Sequence, residues 1–73
     1  MTVAQLKKRY NTLKAQINSG EISAEDAKDK AIILLADAMD LQNVVEANSD
    51  DAYLVAKIIS CLDELANTET VSL

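Results

Sequence analysis

Histidine is missing from this chain, as are proline, tryptophan and phenylalanine, and there is a single glycine and a single cysteine. Each absence excludes something. Without histidine, a His/Cys zinc site cannot be assembled, because such sites draw about four ligands from those two residue types. The lone cysteine, Cys61, leaves no intramolecular disulfide to form. A small domain without either staple has self-association as its remaining route to extra burial. No proline and one glycine, Gly20, leave almost nothing to interrupt helix. With two tyrosines as the only aromatics, the core must be aliphatic. Neither a base-stacking platform nor a pocket for a large flat cofactor is expected.

Long apolar runs are lacking too. The longest is Ala31-Ile32-Ile33-Leu34-Leu35-Ala36, far short of the roughly 20 residues that cross a bilayer. The first residues, Met1-Thr2-Val3-Ala4-Gln5-Leu6-Lys7-Lys8, contain no apolar stretch of the secretory type, which predicts a reducing, cytoplasmic setting.

What is present reads as one soluble helical domain. The 73 residues are 49% hydrophobic and 26% charged, a globular balance. Net charge is −5, but it is segregated. Lys7, Lys8, Arg9 and Lys14 precede Gly20 with no acid among them; all 12 acids follow it, against Lys28, Lys30 and Lys57.

Periodicity predicts three helices. The first spans about 3–18, with Val3, Leu6, Tyr10, Leu13 and Ile17 alternating by three and four within an arc of about 80°, as narrow as a coiled-coil seam. Asn18-Ser19-Gly20 stops it, Gly20 suiting the left-handed position after a helix. Ser23-Ala24-Glu25-Asp26 starts the second helix as a capping box in its Asp form, with two acids at the positive end of the helix dipole. Ile22 can staple back to Ala27. The short connection predicts an antiparallel hairpin.

The second helix is expected over 24–47, its apolar residues covering about 180° (Ala27, Ala31, Ile32, Leu34, Leu35, Ala38, Met39, Leu41, Val45). Asn48-Ser49-Asp50-Asp51 marks a break and a new N-cap at Ser49. The third helix follows over 50–66, with Leu54, Val55, Ile58, Ile59, Cys61, Leu62, Leu65 and Ala66 spread over about 160°. The domain is thus 1–67, and 68–73 is read as a flexible tail. A helix in a closed three-helix bundle needs only about 120° of apolar surface. The surplus on the second and third helices predicts a further covered surface, most simply in a homodimer.

Leu6, Leu13, Gly20, Ile22, Ser23, Glu25, Lys30, Leu34 and Leu35 together give residues 6–35 a pattern that resembles the short helix–turn–helix module of the SHOCT family. That pattern has a Leu-spaced helix, a Gly-x-Ile-Ser/Thr-x-Glu turn, and a second helix with Lys and paired Leu. The resemblance implies a helical hairpin that works in oligomerisation. An aromatic common in that module's second helix is absent here, with Ala27 near its place, and the third helix lies outside the matched stretch. In size and acidity the chain also looks like the small accessory proteins of phages and other mobile elements, a likeness that no motif carries.

Candidate sites follow from the wheel. Asp26, Asp29, Asp37 and Asp40 fall within about 80° of one another on the second helix, with Ile33 and Val44 inside the same strip. This is either an acidic binding stripe with an apolar centre, suited to a protein partner with a basic surface, or a solvated face that Lys30 partly neutralises. A calcium loop is not indicated, since it needs alternating ligands on a flexible glycine-containing loop. General acid–base chemistry needs a carboxylate desolvated in a cleft.

On the first helix, Lys7 and Lys14 flank one side of the seam, Arg9 the other, and Lys8 points away. That spread, on an acidic molecule, disfavours nucleic acid, and the same residues are suited to meet acids of the other two helices. Cys61 sits at the apolar edge of the third helix with no histidine to activate it, and reads as structural. Tyr53, on the polar side of the third helix, is a candidate contact residue. Asn48-Ser49-Asp50 is only superficially like the serine motif of acyl carrier proteins and lacks both neighbours of that serine.

The sequence therefore points to an all-α, three-helix bundle or helical hairpin plus a third helix, completed by dimerisation. It is expected to be a non-enzymatic, self-associating interaction module that regulates or inhibits a protein partner, with no cofactor, no metal and no membrane contact. Partner-binding candidates are Asp26, Asp29, Ile33, Asp37, Asp40, Val44 and Tyr53. The alternative is a nucleic-acid-associated factor using the basic first helix.

Overall fold

A computed structural model describes residues 1–67. The tail expected over 68–73 lies outside the described residues. The chain forms three α-helices and no strand among the described residues: α1 (Val3–Ser19), α2 (Ala24–Gln42) and α3 (Asp50–Ala66).

Each helix begins at a hydroxyl side chain in extended backbone. Thr2 accepts from the Gln5 N–H at 3.1 Å, and the Gln5 side-chain oxygen accepts from the Thr2 N–H at 2.8 Å, a complete capping box. Ser23 accepts from the Asp26 N–H and Ser49 from the Ala52 N–H. The reciprocal bond expected from the Asp26 side chain is not formed. Aspartate is one methylene shorter than the Glu or Gln that usually reaches back, whereas Gln5 spans the gap. Each such cap satisfies a donor that helix geometry orphans, and losing one costs about 1 kcal/mol.

α1 ends at Gly20, whose φ of 76° is left-handed. The Gly20 N–H bonds Ile17 O and the Glu21 N–H bonds Gln16 O, which closes the helix in a Schellman arrangement. α2 stops at Gln42, earlier than the expected 47. The periodicity does continue, and Val45 still packs against the core. However, Val44 and Val45 are β-branched and stiff at χ1, Asn43 caps the helix, and Asn48 turns the chain in the left-handed region at φ 69°.

The core comprises Leu6 and Leu13 from α1, Ala31, Leu34, Ala38 and Leu41 from α2, and Val55, Ile58 and Leu62 from α3. It is wholly aliphatic. α2 and α3 form the tightest pair, because Ala31 and Ala38, both fully buried, let the backbones approach. α1 lies antiparallel to α2, as Arg9 opposite Asp37 and Gln16 beside Lys30 require. It packs least closely on α3. No side-chain polar atom among the described residues is buried without a partner.

Candidate functional site

α2 has two apolar regions and spends only one of them on the fold. Its inner side, Ala27, Ala31, Leu34, Ala38 and Leu41, is buried. Ile32, Ile33 and Met39 are 48%, 60% and 52% exposed. At 100° per residue, Ile32 and Met39 lie about 20° apart and share a flank with half-buried Leu35, while Ile33 stands about 100° further round. The wide arc of α3 behaves differently. Leu54, Ile59, Cys61, Leu65 and Ala66 are all half-buried, so most of the surplus apolar surface belongs to α2.

Around Ile33 the structure sets Asp26, Asp29 and Asp40, all exposed, and Asp37, which is partly covered. Asp37 is engaged: its carboxylate accepts from the Arg9 guanidinium at 3.0 Å. That bond ties the edge of the strip to α1 and gives the basic first helix one of the acidic contacts its charge suggested. At roughly half exposure of both side chains it adds little stability, on the order of 0.5 kcal/mol. Val44 follows the end of α2 instead of continuing the helical strip, yet remains beside it, lining a shallow hollow with Met1, Asp37, Asp40 and Leu41. Tyr53 is 76% exposed but stands apart from this group. It lines a separate hollow with Asn48, Ser49, Asp50 and Ala52 at the start of α3, so the strip comprises Asp26, Asp29, Ile33, Asp37 and Asp40, with Val44 at its end.

No family model, curated protein or solved structure matches this chain.

Among the described residues, no three of the Asp, Glu and Cys side chains converge as metal ligands, and no helix is long and apolar enough to cross a membrane. The hollows are open at the surface. One was not visible in the pattern of any single helix. Lys7, Tyr10, Asn11 and Lys14 of α1 and Leu54, Lys57, Ile58 and Cys61 of α3 line a groove of ≈ 240 Å³. Lys57 joins Lys7 and Lys14 there, separated from them by more than 40 positions of sequence; only the packing of α3 beside α1 brings the three together.

Within the groove, the Lys14 ammonium lies 5.8 Å from the centre of the Tyr10 ring, a cation–π distance. The Tyr10 hydroxyl is pushed up to about 12 by its hydrogen bond with Cys61, then by burial, then by the charges of Cys61 and Glu64. It stays protonated at neutral pH. Cys61 is half-buried and serves here as a contact for tyrosine, consistent with a packing role.

Proposed function

We propose that this chain is a protein–protein interaction module that associates with itself through the outer side of α2 and regulates a partner by occupying it. The observation that carries this reading is the exposure of Ile32, Ile33 and Met39 on a helix whose inner side already completes the core. Ile32 and Met39 share one flank and Ile33 stands about 100° round the helix, and exposed apolar surface gathered on one helix marks a contact site more often than residues scattered over the molecule do. The aspartates beside them discourage indiscriminate sticking and favour a basic counterpart. The likeness of residues 6–35 to an oligomerisation module points the same way.

The test is sedimentation velocity over a concentration series for the wild type and Ile33→Asp. Because Ile33 is 60% exposed and lies outside the core, the variant should keep its helix content and melting temperature while losing association. A wild type that sediments as a monomer at every concentration, or a variant that associates unchanged, would overturn the reading.

A nucleic-acid-associated role is the second reading, favoured by the convergence of Lys7, Lys14 and Lys57 on one groove. A net charge of −5 opposes it. Phosphate binding must weaken steeply with salt, so a salt titration against DNA and RNA separates the two readings.

A further inference from the structure

The groove between α1 and α3 and the outer side of α2 are opposite in charge and alike in build. Lys7, Lys14 and Lys57 rim the groove, and half-buried Tyr10 and Leu54 contribute apolar surface above the buried Ile58. The outer side of α2 reverses the pattern, with Asp26, Asp29 and Asp40 around an exposed Ile33. An amphipathic helix laid in a groove is a recurrent mode of recognition, in which apolar anchors supply contact and rim charges set register. The groove on the other side of α1 is a poorer match. Its Arg9 is already held by Asp37, and its Lys30 stands one helical turn from Asp26, the spacing at which opposite charges pair.

In a three-helix bundle, the groove between two helices lies across from the third. The acidic strip borders α1 on its α2 side, where Asp37 meets Arg9, and the lysine groove lies on its α3 side, so α1 keeps the two apart within one chain. Each copy thus carries one surface of each kind.

We propose that the α1/α3 groove receives the acidic outer side of α2 from a second copy, joining copies head to tail. The inference rests on the reading of α2 as an interaction surface and names what that surface meets. Such a contact is heterologous: it extends to rings or open chains and does not close at a two-fold dimer.

A charge-swap experiment tests it. Two double variants are made, Lys7→Glu with Lys57→Glu, and Asp29→Lys with Asp40→Lys. All four positions are exposed, and helix content by circular dichroism verifies that each protein folds. Sedimentation velocity of the wild type at low salt should show species beyond the dimer that grow with concentration and recede at about 0.5 M salt, where screening is within a few ångströms. Each double variant alone should associate about tenfold or more weakly. An equimolar mixture of the two should restore association, because the acidified groove of one accepts the basic helix of the other. Lys8→Glu with Lys28→Glu carries the same net charge as the groove variant and should behave as the wild type.

Failure of the mixture to recover, or equal loss in the Lys8/Lys28 control, overturns the head-to-tail contact. So does association that stops at a dimer and depends on Ile32 and Met39 but not on the lysines. That last result would leave α2 as an interaction surface, joined through its other flank. A wild type that never associates removes both proposals.

Discussion

Both sides of α2 carry apolar residues, and those residues have opposite fates. Ala31 and Ala38 are fully buried, though alanine brings little transfer energy, because their small size lets α3 come close. Ile32 and Ile33, among the most hydrophobic residues in the chain, stay 48% and 60% exposed. Burial here follows angular position against α3 and not hydrophobicity. An exposed isoleucine beside a buried alanine means that folding did not select the isoleucine for the core, and contact with another molecule supplies a reason for it.

The largest effect should come from placing one substitution on each side. Ala38→Asp puts an unpaired carboxylate into a fully buried position, at a cost of several kcal/mol. A core of this size supplies only about 3–5 kcal/mol net. The variant should be unfolded, with helical circular dichroism lost at room temperature. Ile33→Asp, five residues away and facing out, should melt with the wild type. Similar losses in the two variants would break the distinction between the sides.

Much of this division was legible in the sequence. The starts at Ser23 and Ser49 and the stop at Gly20 were readable because capping is local chemistry: a hydroxyl or a glycine at one position decides it. The narrow seam of α1 was readable because it matches its burial, with Leu6 and Leu13 enclosed and Val3, Tyr10 and Ile17 half so. The end of α2 was not, since Val44 and Val45 preserve the helical period after the backbone has left the helix. Nor could a wide apolar arc say which part of itself would face α3; Leu34 and Ile32 look alike until the neighbour is placed. The strip of aspartates was visible at helical spacing, but the engagement of Asp37 by Arg9, 28 positions away, and the assembly of Lys57 with Lys7 and Lys14 depend on topology. Tyr53 was legible as an exposed side chain of the third helix, and its distance from the strip likewise depends on topology.

Tyr10 sharpens the comparison from the boundary, since it is half-buried and belongs to neither extreme. Its pKa is raised from 10.0 to about 12 in the folded chain. The folded state therefore holds this proton more tightly than the unfolded state does. The stabilisation is fully present below about pH 10 and is lost as pH climbs towards about 12. Thermal melts across that window should show the wild type losing stability that Tyr10→Phe does not lose, since phenylalanine has no proton to give up. Parallel curves for the two proteins would show that the hydroxyl has no stake in the folded state and that the α1/α3 boundary behaves as open surface.

The smallest effect concerns the edge where the acidic strip meets α1. Arg9 and Asp37 bond at 3.0 Å, but their side chains remain 47% and 42% exposed. Water and salt screen such a pair, and ordering two side chains offsets much of its attraction. A double-mutant cycle with Arg9→Ala and Asp37→Ala should give a coupling of no more than about 0.5 kcal/mol, shrinking as salt is added. A coupling well above about 1 kcal/mol would place Asp37 with the inner side, as a strut that fixes α1 on α2. A small one leaves it with Asp29 and Asp40, as charge held at the surface for something other than the fold. Because Arg9 already offsets its charge, Asp37 should then contribute less than either of those two to any contact made by α2.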